Sequence, residues 1–452
     1  MKKKICMTTL EFPPDVGGVG ESVHRIAKML IELGYGVHVT VFRAVFRNER
    51  TMAAAAEYRL PSCQTTETEG IVVHRLLPAV RSPQAKEQDY FCDIYGQLVS
   101  LQRQYGFDLL HAFFINEMGF LTTLIGQENG IPVINSIRGA DLHKHVFSPQ
   151  QFGPVTWALE NSAWTTFVSR DLMHRARTLV PSIQSKSSAF WNSIDPNALH
   201  SAALTEGTEL TEGAAPMLTP PPDESEEIVI GSVGSFRDKK GLEYLFEACQ
   251  FLREKFLHEQ LPNNKLPNEK QPTKKRSDSV PKLTLLLIGD FAEKERDYWE
   301  HTLQKSGFAD RTIITGKVSR QKALSYLSYV DIFAIPSLHD GCPNAMIEAM
   351  LAAKAIVGSN VDAIGEILED GRNGLVVPPR DAGAIAEALS RLITQPSFRQ
   401  QLGIAARQTA LNRLSPAVEQ KNWQAVYRRV FEDSQMSLEE QQPTTRKAVL
   451  AQ

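Results

Sequence analysis

Short apolar runs alternate with longer amphipathic stretches along most of the chain. Residues 4–7, 37–42, 109–113, 133–137 and 166–168 are apolar runs of strand length, the pattern of strands buried on both faces. Between the first two, Val23, Ile26, Ala27 and Leu30 recur at the spacing of one helix face, and Gly34 follows as a C-terminal cap. Strand, helix, strand in that order predicts a parallel sheet with right-handed crossovers. The alternation stops at residues 205–227, where acids and prolines displace large apolar residues and the chain reads as a flexible linker. It resumes with strand candidates at 228–233, 283–288, 312–315, 332–335, 355–357 and 375–377. A polar stretch at 261–282, carrying KQPTKKRSDS, interrupts this half. It fits either a disordered surface insertion or a basic segment that docks on an anionic surface. Trp423, Val426, Tyr427 and Val430 form one more helical face, and a polar tail follows Asp433. No repeat of solenoid period is present.

With 452 residues the chain exceeds a single core, so the pattern divides into domains. The expected order is an N-terminal Rossmann-like domain (1–200), a linker (201–227) and a C-terminal Rossmann-like domain (228–415, with its insertion at about 258–282). A last helix (416–433) and a tail (434–452) complete it. A net charge of -3 gives no global reason to expect a nucleic-acid partner. Cys6, Cys63, Cys92, Cys249 and Cys342 are dispersed without a C-x-x-C pair, which argues against a disulfide framework or structural zinc and for a reducing compartment. The N-terminal apolar run, broken by Thr8 and Thr9, is too short for a signal peptide, and no stretch approaches the ~20 apolar residues of a membrane span. The expectation is a cytoplasmic protein. Arg43, Arg47, Arg50 and Arg59 suit either a solvated loop or peripheral contact with an anionic lipid surface on the inner face of the membrane.

Three segments carry candidate chemistry. In EFPPDVGGVGES, after the first strand, Gly17 and Gly18 would let a ligand's phosphates approach the backbone ahead of a helix start; a plain tight turn is the alternative. In VGSFRDKKGLEYL, Arg237, Lys239 and Lys240 precede the next such helix. A helix start gives an anion only about 0.3–1 kcal/mol, whereas each charge-assisted hydrogen bond contributes about 1.5–3 kcal/mol. The cluster can therefore hold a diphosphate that the helix end cannot, unless it is simply a solvated basic turn beside Asp238. In PSLHDGCPNAMIEAMLAA, Pro343 is placed to start a helix that is apolar apart from Glu348. A carboxylate on that face needs partners. The hydroxyls of a ribose would serve, and so would an ion pair with a core neighbour. Asp340 is a second carboxylate directed at the same region, and the backbone around Gly341, Cys342, Asn344 and Ala345 offers N–H donors. No D-x-D pattern indicates a diphosphate-bridging metal, and His143 and His145 lack a third spaced ligand.

Together these segments resemble the retaining glycosyltransferases of family four. FDLLHAFF, around Asp108 and His111, the segment from Asn192 to Asp195, the loop ending Lys240-Gly241, the acid pair Asp340 and Glu348, and AIGEILEDGRNGLVVPP follow that family's text in order. The resemblance implies an α/β chain of GT-B architecture: two facing Rossmann-like domains with parallel sheets and an interdomain cleft. It implies a nucleoside-diphosphate sugar bound mainly by the second domain and a carbohydrate, lipid-linked or small-molecule acceptor at the first. It further implies retention of anomeric configuration with no metal and no resident cofactor, in cell-surface polysaccharide or glycolipid synthesis. Lys240 and Arg237 would neutralise the leaving diphosphate, Glu348 would hold the ribose, Asp340 would touch sugar hydroxyls, and Gly17 and Gly18 would approach the phosphates. The sequence departs from the family at four places. Ser235 stands where an arginine is frequent, Asp340 replaces a glutamate, and Arg138 takes the place of a histidine and is assigned its catalytic role. Asp362 and Ala363 replace paired glycines. These departures keep open a non-catalytic nucleotide-sugar-binding protein, and the same architecture would also serve a nucleotide-sugar epimerase.

Overall fold

A computed structural model of the chain describes residues 2–15, 17–42, 60–79, 87–199, 227–260 and 282–440. The linker and insertion expected from the sequence fall almost wholly outside these residues, as do Arg43, Arg47, Arg50 and Arg59. The chain divides into two compact units, one formed by Met1–Asn192 with Ala417–Gln452 and the other by Ser193–Pro416.

The first unit is built on β1 (Lys4–Thr9), β2 (Gly36–Phe42), β3 (Ser62–Thr68), β4 (Ile71–Leu77), β5 (Leu109–Phe113), β6 (Val133–Ile137), β7 (Trp164–Phe167) and β8 (Ser187–Ala189), in the order β3-β4-β2-β1-β5-β6-β7-β8. The pairings are parallel except that of β3 with β4, which is antiparallel. The sequence reading missed β3, β4 and β8: all seven β3 residues are exposed and carry no apolar signal, His74 and Arg75 interrupt the apolar run of β4, and β8 is only three residues long. Alternation along β1 sends Ile5 and Met7 to one face of the sheet and Cys6 to the other. On the first face lie α1 (Gly18–Glu32), through Val23, Ile26 and Leu30, and the last helix, through Trp423, Tyr427 and Val430. On the second lie α2 (Glu87–Tyr105) and α3 (Glu117–Asn129). α4 (Ala140–His143), α5 (Pro149–Asn161) and α6 (Arg170–Leu179) complete the unit.

The last helix is fastened to this unit by more than apolar burial. Within the sheet, His111 is fully buried between the Tyr427 hydroxyl at 2.6 Å from Nδ1 and the Ser136 hydroxyl at 2.7 Å from Nε2. Burial, with Arg138 next in effect, drives the His111 pKa down to about 3. Arg25 on α1 donates to the buried Glu419 at 2.8 Å. The helix runs from Pro416 to Glu440, beyond the end expected at 433. The added residues are polar but include Gln435, Met436, Leu438 and two glutamates, which are good helix formers.

The second unit has β9 (Glu227–Phe236), β10 (Lys282–Phe291), β11 (Thr312–Ile314), β12 (Ile332–Ile335), β13 (Ala355–Ser359) and β14 (Leu375–Val377), all parallel, in the order β11-β10-β9-β12-β13-β14. Its helices are α7 (Leu242–Gln260), α8 (Arg296–Lys305), α9 (Arg320–Tyr326), α10 (Asn344–Leu351), α11 (Asp362–Ile367), α12 (Ala382–Thr394) and α13 (Pro396–Arg413). After β9 the chain builds β10 and β11 on one side, then returns to place β12 on the other. The order therefore reverses at β9, and the loops leaving the C-terminal ends of β9 and β12 lie side by side. In open parallel sheets that is where ligands bind. The first unit has the corresponding reversal at β1, whose exit loop carries Gly17 and Gly18.

Candidate active site

The loop after β9 closes as a 3-10 turn, Asp238–Lys240, ending on Gly241 at φ +64°. Glycine is required there for two reasons. The left-handed backbone disfavours a side chain, and a Cβ would stand 2.2 Å from the Pro336 carbonyl oxygen. The loops after β9 and β12 thus pack backbone on backbone, joined by the Leu338 N–H to the Lys239 carbonyl at 2.8 Å. That contact delivers Lys240 to the second motif: its Nζ donates to Asp340 Oδ2 at 2.6 Å, with both side chains mostly buried. Burial opposes ionisation of Asp340, but Lys240 and Lys239 outweigh it and hold the carboxyl below its ordinary value. Lys239 is shifted downward, first by burial, with Asp340 opposing and Lys240 and Arg237 adding to the shift. Arg237 itself is exposed at the rim of the loop.

Asp340 is held from behind as well. Its N–H donates to Asp362 Oδ2 at 2.8 Å, and the Ala363 N–H donates to the Gly341 carbonyl at 3.3 Å. Gly341 and Cys342 are buried, and Asn344 opens α10 after Pro343, as the proline predicts. One turn on, Glu348 is 6% exposed. Arg320, the first residue of α9, sends Nε and Nη2 to Glu348 Oε1 at 3.0 and 2.9 Å. The carboxylate thus has the ion-pair partner that stood as one of its two readings. Arg320 was not found from the sequence: it lies 28 residues before Glu348, in a short helix marked only by the cap Ser319, whose hydroxyl accepts from the Lys322 N–H.

The second unit therefore brings Lys240, Asp340, Gly341, Cys342, Asn344 and Glu348 to one end of its sheet, with Arg237 at the margin. Gly17, Gly18 and Arg138 belong to the first unit. Gly17 is extended rather than left-handed, and a Cβ on it would stand 1.8 Å from Glu11 Oε2. What approaches that glycine is the Glu11 side chain. Arg138, at the end of β6, donates from Nη2 to Asn192 Oδ1 at 2.8 Å and lies 5.9 Å over the Phe113 ring. Its N–H and that of Ile115 both donate to the buried Asp141, at 2.9 and 2.8 Å, so Asp141 ties the exits of β5 and β6 together. Asp141 sits in the GADLHKH segment, whose histidines had drawn the attention; the helix start beside it was the available signal. Nδ1 of His143 accepts from Arg175 at 3.4 Å. Among the described residues no three His, Cys, Asp or Glu side chains are grouped to hold a metal ion.

Two Rossmann-like units with these loops at the strand ends define the GT-B class of fold. Residues 16–198 match the family model Glycosyltransferase Family 4, and residues 220–409 match Glycosyl transferases group 1. The chain belongs to the family-four glycosyltransferases. Among its relatives is TuaC of Bacillus subtilis, a glycosyltransferase whose name places it provisionally in teichuronic acid biosynthesis; it is 23% identical over 63% of this chain and 61% of its own length. The alpha-D-kanosaminyltransferase of Streptomyces kanamyceticus is 29% identical over 23% of this chain, and the match spans only 27% of that relative. Among solved structures, sucrose-phosphate synthase from Thermosynechococcus elongatus superposes with a TM-score of 0.70 at 18% identity, over 96% of this chain and all of that one. Anabaena HepE in complex with UDP superposes with a TM-score of 0.64 at 14% identity, over 94% of this chain and 99% of that one.

Proposed function

We propose that the chain transfers a sugar from a nucleoside-diphosphate donor to an acceptor hydroxyl in polysaccharide or glycolipid assembly, with retention of anomeric configuration and without a metal or resident cofactor. The observation that carries this reading is the ion pair of Lys240 with Asp340 at the strand-order reversal of the second unit, with Glu348 buried on the helix that follows. Family membership and the likeness to HepE, which holds UDP, support the class of donor.

The chemistry follows from the charges. The bond from the anomeric carbon to the phosphate oxygen breaks as an oxocarbenium-like sugar develops, and negative charge gathers on the departing diphosphate. Preorganised cations aimed at that charge are the largest catalytic contribution available. Lys240 supplies one from a buried seat, and Arg237 supplies a second from the rim. The acceptor oxygen bonds to the anomeric carbon on the face the diphosphate leaves, and its proton passes to the departing phosphate oxygen. No protein nucleophile is then needed. Glu348, oriented by Arg320, accepts from the ribose hydroxyls, and Asp340 accepts from the sugar. Arg138 faces the acceptor side in this reading.

The test begins with thermal shift across UDP-glucose, GDP-mannose and ADP-glucose, since a ligand at about 100 times its dissociation constant stabilises by about 2.7 kcal/mol. Nucleoside-diphosphate release and the anomeric configuration of the product are then followed with the donor that binds. Lys240→Ala and Glu348→Ala are each expected to cut transfer by about 10²-fold. Full activity in both folded variants would remove the assignment, and an inverted product would remove the retaining mechanism. Among the described residues no helix is long and apolar enough to cross a membrane. The proposed location is cytoplasmic, with peripheral contact at the inner membrane face; recovery of all the protein from the soluble fraction at low salt would count against that contact.

A further inference from the structure

Asp362 sits in a backbone conformation that few side chains adopt, φ +42°, and is 7% exposed. Non-glycine residues are uncommon in that region, and aspartate is among the few that enter it, because its short carboxylate can bond to nearby backbone. Strain of this kind persists where the surroundings fix it, often at functional sites. Here the surroundings are specific. Asp362 Oδ2 accepts the Asp340 N–H, 22 residues away, at 2.8 Å. The adjacent Ala363 N–H returns a bond to the Gly341 carbonyl at 3.3 Å. The turn into α11 and the loop after β12 are thereby clasped in both directions, on either side of the Asp340 Cα. The same Asp340 carries Lys240 on its carboxylate at 2.6 Å, and Leu338 reaches the Lys239 carbonyl at 2.8 Å. Three segments far apart in sequence thus converge on one aspartate.

We propose that Asp362 is a positioning residue: by fixing the backbone at Asp340 it aims that carboxylate at Lys240 and so sets where the cation stands for the donor diphosphate. A glycine would hold the same backbone angle without strain. The clasp to Asp340 is what the aspartate adds. The inference rests on the donor-site reading above and adds a residue to it.

The test compares Asp362→Gly, which relieves the backbone and removes the clasp, with Asp362→Asn, which keeps an acceptor oxygen and tolerates the angle. Release of nucleoside diphosphate is measured with whichever of UDP-glucose, GDP-mannose and ADP-glucose the wild type turns over fastest, and thermal unfolding is recorded in parallel. The Gly variant is expected to show kcat lowered at least about tenfold, KM for the nucleotide sugar changed by less than about threefold, and a Tm within a few degrees of wild type, because relief of backbone strain offsets the lost hydrogen bond. The Asn variant is expected within about threefold of wild-type kcat. Wild-type kcat in the Gly variant overturns the proposal, and so does equal loss in the Gly and Asn variants, which would make the charge rather than the clasp the active feature. If Lys240→Ala is inactive while Asp362→Gly is not, only the role of Asp362 falls. If the wild type releases nothing from all three sugars, the donor-site reading falls and takes this inference with it.

Discussion

Replacing Asp340 by asparagine should separate two properties that usually change together, affinity for the nucleoside diphosphate and rate of transfer. Lys240 Nζ is bonded to Asp340 Oδ2 at 2.6 Å, with the two side chains 17% and 13% exposed, so an entering diphosphate must share or displace that carboxylate to reach the cation. The gross attraction is large, about 4 kcal/mol for unit charges about 4 Å apart at an effective dielectric of about 20. The net contribution of a hydrogen bond to a charged partner is smaller, about 1.5–3 kcal/mol. An asparagine oxygen is a weaker acceptor and carries no charge, so about half of that, some 0.8–1.5 kcal/mol, is returned to the competing anion. Affinity for UDP or inorganic pyrophosphate should therefore rise by about fourfold to twelvefold. Transfer should fall by about 10²-fold, because the contact to the donor sugar and the aim of Lys240 are lost together. Calorimetry with UDP and with pyrophosphate gives the first quantity, and initial rates of nucleoside-diphosphate release give the second. A folded Asp340→Asn protein that binds both anions no more tightly than wild type would refute the reasoning, since Asp340 and the diphosphate would then not compete for Lys240.

Arg320→Met should destabilise the second unit by about 1–3 kcal/mol, at or below the low end for a broken buried pair because Arg320 is 38% exposed, and Arg320→Lys should recover part of it; unchanged chemical denaturation would show that Glu348 does not depend on this partner. Gly241→Ala places a Cβ 2.2 Å from the Pro336 oxygen at φ +64° and should cost about 2 kcal/mol or more, visible as a lowered Tm; a wild-type Tm would mean the two loops move apart freely. Stability should also depend on pH through three buried histidines of the first unit. His111 is held at about 3, by burial and then Arg138, and His74 at about 4, by burial. His38 is held at about 4 by burial, His74 and Lys4. The unfolded chain takes up protons near the ordinary value of about 6.5, before the folded chain does. The stabilisation is therefore complete above about 6.5 and lost as pH falls toward 4 and 3, several kcal/mol in all. Urea unfolding at intervals from pH 7 to 4 measures it, and a flat profile would contradict the burial of these rings. Asp340, whose pKa lies below its ordinary value of 3.8, begins to lose its contribution only as pH falls below about 3.8, outside the pH 7 to 4 range of the measurement.

The strands with a continuous apolar run were legible because a strand buried on both faces has only one way to look in sequence. β3 was not, since it is exposed at every residue; nor was β4, whose apolar run is interrupted by His74 and Arg75; and β8, SSA, has too few apolar atoms to register. The glycine at 241 announced a turn before a helix, but not that its missing side chain lets the Pro336 carbonyl come close. At Gly17 the same logic misled in detail: a glycine after a strand signals close approach, yet the sequence does not say of what, and here it is Glu11. The acids Asp340 and Glu348 were found because a lone carboxylate in an apolar helix and another at its turn stand out. Their partners were beyond reach, since Lys240 pairs with a residue 100 positions away and Arg320 with one 28 positions away, and only strand order makes those neighbours.

Those pairings explain how such a site can be assembled at all. A cation and two carboxylates drawn to one end of a sheet each lose hydration, and an uncompensated charge there would cost several kcal/mol. A donor cannot offset that cost during folding, because the loops must be in place before it binds. The chain therefore supplies its own counter-ions: Asp340 for Lys240, Arg320 for Glu348. The consequence is that donor affinity is the difference between two sets of bonds, those made to the donor and those the protein must give up. A substitution that weakens the internal set should tighten anion binding while loosening the geometry needed for transfer. Substitution of Asp340 should for this reason move binding and turnover in opposite directions, whereas substitutions at Lys240, which belongs to both sets, should lower the two together.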